Sequence, residues 1–185
     1  MNRPKLLVLA LCLAPWTARP ALGDRPLGPP KVGGASSPNK QFFAVADPKS
    51  KVTTIYRVNA NGFPSVLWTM RGWFEVGALA DDGKHLIVGC GGSLVPLSVN
   101  KDYPMIKFYK TDRCIKTVTL GELVQDLSAL PRTVSHYRWG DFLGLDKDGR
   151  YVVQTVEGRR LAFDVTTGKL VAIDATSAEA LKKVR

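Results

Sequence analysis

Apolar and polar positions along the chain alternate in short bursts. From Gln41 to Asp174, runs of four to eight β-branched and aromatic residues are punctuated by turn residues, the pattern of half-buried strands joined by tight connections. "TTIYRVNANGFPSVLWT" (53–69), "MIKFYKTDRCIKTVTL" (105–120) and "RLAFDVTTGKLVAI" (160–173) each read as strand, polar turn, strand, and "FFAVAD" (42–47) stands in front of the first. Two stretches break the rhythm. "GELVQDLSAL" (121–130) sets Leu123, Val124, Leu127 and Leu130 at helical spacing before Pro131, which predicts a short helix. Residues 175–185 end in "TSAEALKKVR", where Thr176 and Glu179 form a capping box for a second one.

"WFEVGALADDGKHLIV" (73–88) and "WGDFLGLDKDGRYVVQ" (139–154) repeat one pattern at an offset of 66 residues. Trp73 falls on Trp139, Glu75 on Asp141, Leu79 on Leu145, Asp82-Gly83 on Asp148-Gly149, Lys84 on Arg150 and Leu86-Ile87 on Val152-Val153. Asp-Gly between apolar runs marks a hairpin, because glycine accepts the positive φ of a tight turn. Each copy is then a hairpin followed by a second hairpin. The chain spells three four-stranded units, the first without its opening strand.

Four short antiparallel strands repeated in series are the sequence form of a propeller blade. "LADDGKHLIVG" resembles the strand-turn-strand of WD40-like and YVTN-like bacterial β-propellers, and "FDVTTGKLV" is similar to the end of such a blade, with Phe163-Asp164 in place of Trp-Asp. The resemblance covers most of residues 41–173 and implies an all-β, propeller-like fold with an incomplete set of blades. It departs in lacking a Gly-His pair and in its long spacing, which insertions at 91–104 and 121–138 absorb. A ring typically needs four blades or more. Three leave a wedge capped by the insertions, a ring completed by a homodimer, or a piece of a longer ancestor.

Charge and the first residues add a setting. Arg3 and Lys5 precede the apolar run Leu6 to Ala14, and Ala21-Leu22-Gly23 offers small residues at −3 and −1. That is a cleavable signal peptide over 1–23, too short to span a bilayer, and it implies a secreted or periplasmic protein. Cys12 fits a lipoprotein signal poorly, because bulky Leu11 precedes it. Residues 24–40, "DRPLGPPKVGGASSPNK", carry so little large apolar surface that they predict a flexible linker. Cleavage removes three basic residues, leaving 23 basic and 16 acidic, a formal +7. A basic exported protein meets a partner protein, a glycan or an anionic envelope component before nucleic acid, although net charge of this size also serves solubility. Two cysteines remain, Cys90 and Cys114, an even number that permits one disulfide in an oxidising compartment.

Residues that break the repeat are better functional candidates than those that obey it. Trp73 and Trp139 recur in register, and packing between units accounts for both. "DKDG" (146–149) lacks the further ligands of a calcium loop and falls on Asp81-Asp82-Gly83, so turn chemistry accounts for it. "GCGG" (89–92) leads into "SLVPLSVN" rather than a helix, which argues against a phosphate loop. His85 falls on Tyr151 and reads as a strand residue. The distinctive cluster is "RTVSHYRW" (132–139), where His136, Tyr137 and Arg138 stand against Met70, Arg71 and Gly72 in the other copy. Adjacent Ser135 and His136 are poorly placed as nucleophile and base. The expectation is a non-enzymatic binding module without a cofactor, in which His136, Tyr137 and Arg138 touch an anionic or aromatic feature of the partner. The alternatives are a metal-dependent hydrolase or lactonase of propeller type, and a structural subunit.

Overall fold

A computed structural model describes residues 29–90 and 92–171 of the chain. They fold into three four-stranded antiparallel sheets, each a simple meander, and one two-stranded ribbon. The first sheet runs β1 (Gly33–Ser36), β2 (Phe42–Asp47), β3 (Val52–Val58), β4 (Pro64–Arg71). The second runs β5 (Glu75–Leu79), β6 (His85–Gly89), β8 (Pro104–Lys110), β9 (Arg113–Thr119), with β7 (Leu94–Pro96) inserted after β6. After β9 come a single helical turn, α1 (Leu120–Leu123), and β10 (His136–Arg138). The third sheet runs β11 (Gly140–Leu145), β12 (Tyr151–Thr155), β13 (Arg160–Phe163), β14 (Leu170–Val171). The opening strands β1, β5 and β11 lie side by side in that order, so the sheets stack face to face from one edge.

The first sheet therefore has its opening strand, in a segment whose composition predicts a linker. Gly33–Ser36 carries no apolar alternation to announce a strand. Gly34 pairs with Val45 on β2, and a Cβ at Gly34 would collide with the carbonyl of Ala44. The same absence of side chains that reads as flexibility is what lets this backbone approach closely.

Side-chain alternation shows where the core sits. On β2 every second residue is buried (Phe42, Ala44, Ala46) and the rest are half-buried, as suits an end sheet with one covered face. All of β6 is buried. Leu86 and Val88 turn to the first sheet, against Phe42, Ala44 and Ile55. Ile87 turns to the third, in a cluster with Phe108, Tyr151, Val153 and Phe163. A middle sheet dry on both faces is the main source of stability here, at about 1.5–3 kcal/mol for each large apolar side chain removed from water.

The repeat is real, but its register shifts. Bulges fall at equivalent places, between Val76 and Ala78 and between Phe142 and Gly144, so the offset of 66 holds along the opening strands. The turns differ. In the second sheet the N–H of Ala80 donates to the carbonyl of His85 across a four-residue loop; in the third, the N–H of Asp146 donates to the carbonyl of Arg150 across three. Leu79 pairs with Leu86, whereas Leu145 pairs with Tyr151. Beyond the turn the offset is 65. Tyr151 stands where Leu86 does, Val152 where Ile87 does, and His85 corresponds to Arg150. Matching Leu86-Ile87 to Val152-Val153, and His85 to Tyr151, is thus corrected by one residue, which exchanges the faces of the strand.

The helix expected over 121–130 is broken. Only Leu120–Leu123 is α-helical, Val124 is extended, and Leu127–Ala129 forms a separate 3-10 turn. Glu157 accepts the backbone N–H groups of Gln125 and Asp126 at 3.0 Å each, and Asp126 accepts the N–H of Ser128. Those amides have left the helical ladder for carboxylates. Leu123, Val124 and Leu130 are nevertheless buried, and Leu127 packs on the same core. The signal peptide expected over 1–23, residues 24–28 of the expected linker and the helix expected over 175–185 lie outside the described residues. No helix among the described residues is long and apolar enough to cross a membrane.

Candidate functional site

The two insertions that stretch the repeat meet each other. β7, from the first insertion, pairs with β10, from the second: Leu94 with Arg138, Val95 with Tyr137, His136 with Pro96. A turn at 133–136 closes the β10 side, where the N–H of Thr133 donates to the carbonyl of His136 at 2.8 Å and the His136 N–H donates to Thr133 Oγ1 at 3.1 Å. Trp139 anchors the ribbon to the core. Its ring is wholly buried, lies 5.0 Å from that of Phe142, and donates its indole N–H to the carbonyl of Gly92 at 2.7 Å. That bond satisfies the one polar atom of a large apolar side chain.

His136, Tyr137 and Arg138 share one strand but not one face. Side chains alternate along a strand, so Tyr137 turns inward and packs on the core, while His136 and Arg138 take the other side. Arg138 is exposed and donates from Nη2 to Asp141 Oδ2 at 2.9 Å; Ser93 Oγ donates to Asp141 Oδ1 at 2.7 Å. Ser93 belongs to the first insertion, Arg138 to the second and Asp141 to the repeat, and the carboxylate ties all three. An exposed ion pair of this kind adds about 0–1 kcal/mol. Its geometric effect is larger, because it fixes the guanidinium at the surface. Ser135 Oγ and His136 Nδ1 lie 2.8 Å apart, in an exposed turn where water reaches both.

No protein-family model and no curated protein matches this chain. What the site can do must be read from its own atoms.

The other motifs resolve into structure. Asp146 accepts N–H groups from Asp148 and Arg150 and the Arg150 guanidinium at 2.8 Å, while Arg150 also reaches Asp148 at 2.7 Å. Burial works to raise the Asp146 carboxyl, but the backbone and side chain of Arg150 outweigh it and hold the group below its ordinary value. Asp82 follows the same logic: burial opposes, and the Lys84 N–H together with His85, whose Nδ1 lies 2.6 Å away, prevails to lower it. Among the described residues no three His, Cys, Asp or Glu side chains gather as a ligand set. In "GCGG", the carbonyl of Gly92 faces Trp139, so the backbone offers an acceptor there, not the donor an anion needs. Cys90 and Cys114 are free thiols. The Cys90 N–H bonds Met105 and Cys114 pairs with Tyr109, four residues along β8 or roughly 13 Å, well beyond the roughly 7 Å a bridge allows. The disulfide that the cysteine count permits is not made, and burial pushes the Cys90 thiol up.

Trp73 corrects the expectation drawn from the repeat. It is 36% exposed and donates its indole N–H to the carbonyl of Lys31 at 2.9 Å. Of this pair, only Trp139 is a packing tryptophan. Ser93 had no signal in the sequence beyond lying in an insertion. The usable hint was topological: one length excess interrupts the second sheet and the other directly follows it, so each had the other as a strand partner.

Proposed function

We propose that the protein is an exported, non-enzymatic binding module built from propeller-like blades, with the β7–β10 ribbon as its contact surface. The carrying observation is convergence. Two insertions that the sheets do not need for their own pairing form one structure, anchored by Trp139 and presenting Arg138 and His136 outward. Insertions carried on a rigid repeat scaffold are where such scaffolds place their contacts. The cation held at the surface suits an anionic feature of a protein, glycan or envelope polymer. Three meanders stacked from their opening strands support the blade reading, and the basic leader with its apolar run supports export.

The test uses the mature chain on an immobilised anionic polysaccharide across a salt series. Arg138→Ala should weaken retention about three- to tenfold at low salt and flatten the salt dependence, with the thermal midpoint unchanged. Equal retention of both proteins at every salt concentration would remove the ribbon from the surface that binds. Intact-mass measurement of exported material should show a chain beginning at Asp24, and retention of Leu6–Ala14 would remove the export reading.

A further inference from the structure

The third sheet has buried apolar residues on both faces, yet only one face is packed against a described sheet. Tyr151, Val153, Leu161 and Phe163 belong to the cluster shared with the second sheet. Alternation puts Val152, its partner Ala162, and Val171, the partner of Ala162, on the opposite face. Val152 is 2% exposed and Ala162 3%, and neither belongs to the two hydrophobic clusters of the described residues. The first sheet shows how an uncovered outward face looks, with Phe43, Val45 and Tyr56 all left partly wet. Gly144 beside Val152 offers no side chain to shield it.

We propose that the chain's own last residues, "TSAEALKKVR" (176–185), dock on this outward face of the third sheet and cap it. The covering segment is at hand. β14 ends at Val171, itself on that face, and fourteen residues follow it. As a helix, 176–185 spans about 15 Å, the reach of three strands about 4.8 Å apart. Ala178, Leu181 and Val184 recur every three residues and would form a narrow apolar stripe in a helix, with Lys183 opposite it, Lys182 at its margin and Arg185 at its end, where a long side chain can reach past the sheet to water. The chain's other end enters beside β1, in the first sheet. A capped third sheet has no face to offer a second copy, so a ring closed head to tail by two chains is excluded.

The test is cysteine protection in the mature chain with Cys90→Ser and Cys114→Ser as background. Ala162→Cys should react with a maleimide at least tenfold more slowly in the full chain than in a chain ending at Ala175, and that protection should not change on dilution. Leu181→Asp in the full-length chain, checked by circular dichroism for intact strands, should speed labelling in the same way and covers the case in which truncation prevents folding. Rapid labelling of the full chain would show that nothing covers the face. Protection that persists in both altered tails would assign the cover to another segment. Protection that fades on dilution alongside a dimer mass would assign it to a second copy. Each of these three overturns the proposal.

Discussion

The hairpins β5–β6 and β11–β12 were spelled alike and are used differently. In the second sheet the turn glycine Gly83 has φ +64° and lies beneath the ring of Phe42 from the first sheet, and its carbonyl accepts the indole N–H of Trp68 at 2.8 Å. In the third, Gly149 has φ +74° and open space around it. The leading tryptophans differ in the same sense but reversed: Trp139 is buried and Trp73 half-exposed. A repeat preserves local features, here a bulge and an Asp-Gly at the turn, even where the loops differ by one residue. It does not preserve which end of the hairpin meets a neighbour. That depends on where each unit sits in the stack.

The sharpest way to break this comparison is at the tryptophans. Trp139→Ala should cost about 3–5 kcal/mol, much of the 5–15 kcal/mol by which a domain is typically stable. Trp73→Ala should cost less than about 1 kcal/mol as a largely surface change. Equal shifts in denaturant midpoint would mean the two sites are equivalent after all. Next come the glycines. Gly149→Ala should cost about 1–2 kcal/mol, the strain of a side chain in left-handed conformation. At Gly83 the new methyl also meets Phe42 Cδ1 at 2.5 Å, so Gly83→Ala should cost about 2–4 kcal/mol once overpacking is added. A smaller effect at Gly83 than at Gly149 would contradict the packing of the second sheet on the first.

Tyr151, the counterpart of Leu86, supplies a prediction of opposite sign. Its hydroxyl is buried with no hydrogen-bond partner among the described residues, facing Gly77 across the sheets. Burial, with the Glu75 carboxylate acting the same way, pushes that hydroxyl up, so it stays neutral. Tyr151→Phe should leave stability unchanged or raise it by about 1 kcal/mol, because it removes a desolvated polar group and keeps the ring. A loss above about 1 kcal/mol, read from urea denaturation, would mean the hydroxyl has a partner. The smallest effect is acid sensitivity. Asp146 and Asp82 are both held below their unfolded values of about 3.9. Their contribution is complete above that pH and is lost as pH falls through the lowered values. Asp146→Asn should therefore lower the thermal midpoint at pH 7 and make its fall below about pH 4 shallower. Parallel curves would take the turn carboxylate out of the account.

Alternation and turn chemistry made eleven of the fourteen strands among the described residues, and the three-unit plan, legible, since those depend on neighbours in sequence. β1 was hidden because "GGAS" has no side chains to alternate, and β7 and β10 because three-residue strands carry no period. The helix at 121–130 failed for a tertiary reason: Glu157, more than thirty residues away, takes its amides. The apolar positions of that segment reach the core all the same, because burial depends on hydrophobicity and not on the backbone that achieves it. The slip from 66 to 65 went unseen because matching the glycines places the missing residue on the wrong side of the turn. Of the ribbon cluster, the location was visible as the place where the repeat breaks, but its inward Tyr137 and its tie to Ser93 required a partner strand over forty residues away.

That partnership also sets an order of events. The β7–β10 ribbon is three residue pairs long and joins segments on either side of β8 and β9, so its closure must follow the sheets and waits on the docking of Trp139. Contacts that close last and bury least are the first to open in the native state. The amides of Val95 and Tyr137 should then exchange with solvent through local opening, while those of Ile87 and Val153 await global unfolding. Under the proposed function, the contact surface is hinged on a scaffold that need not move when a partner lets go.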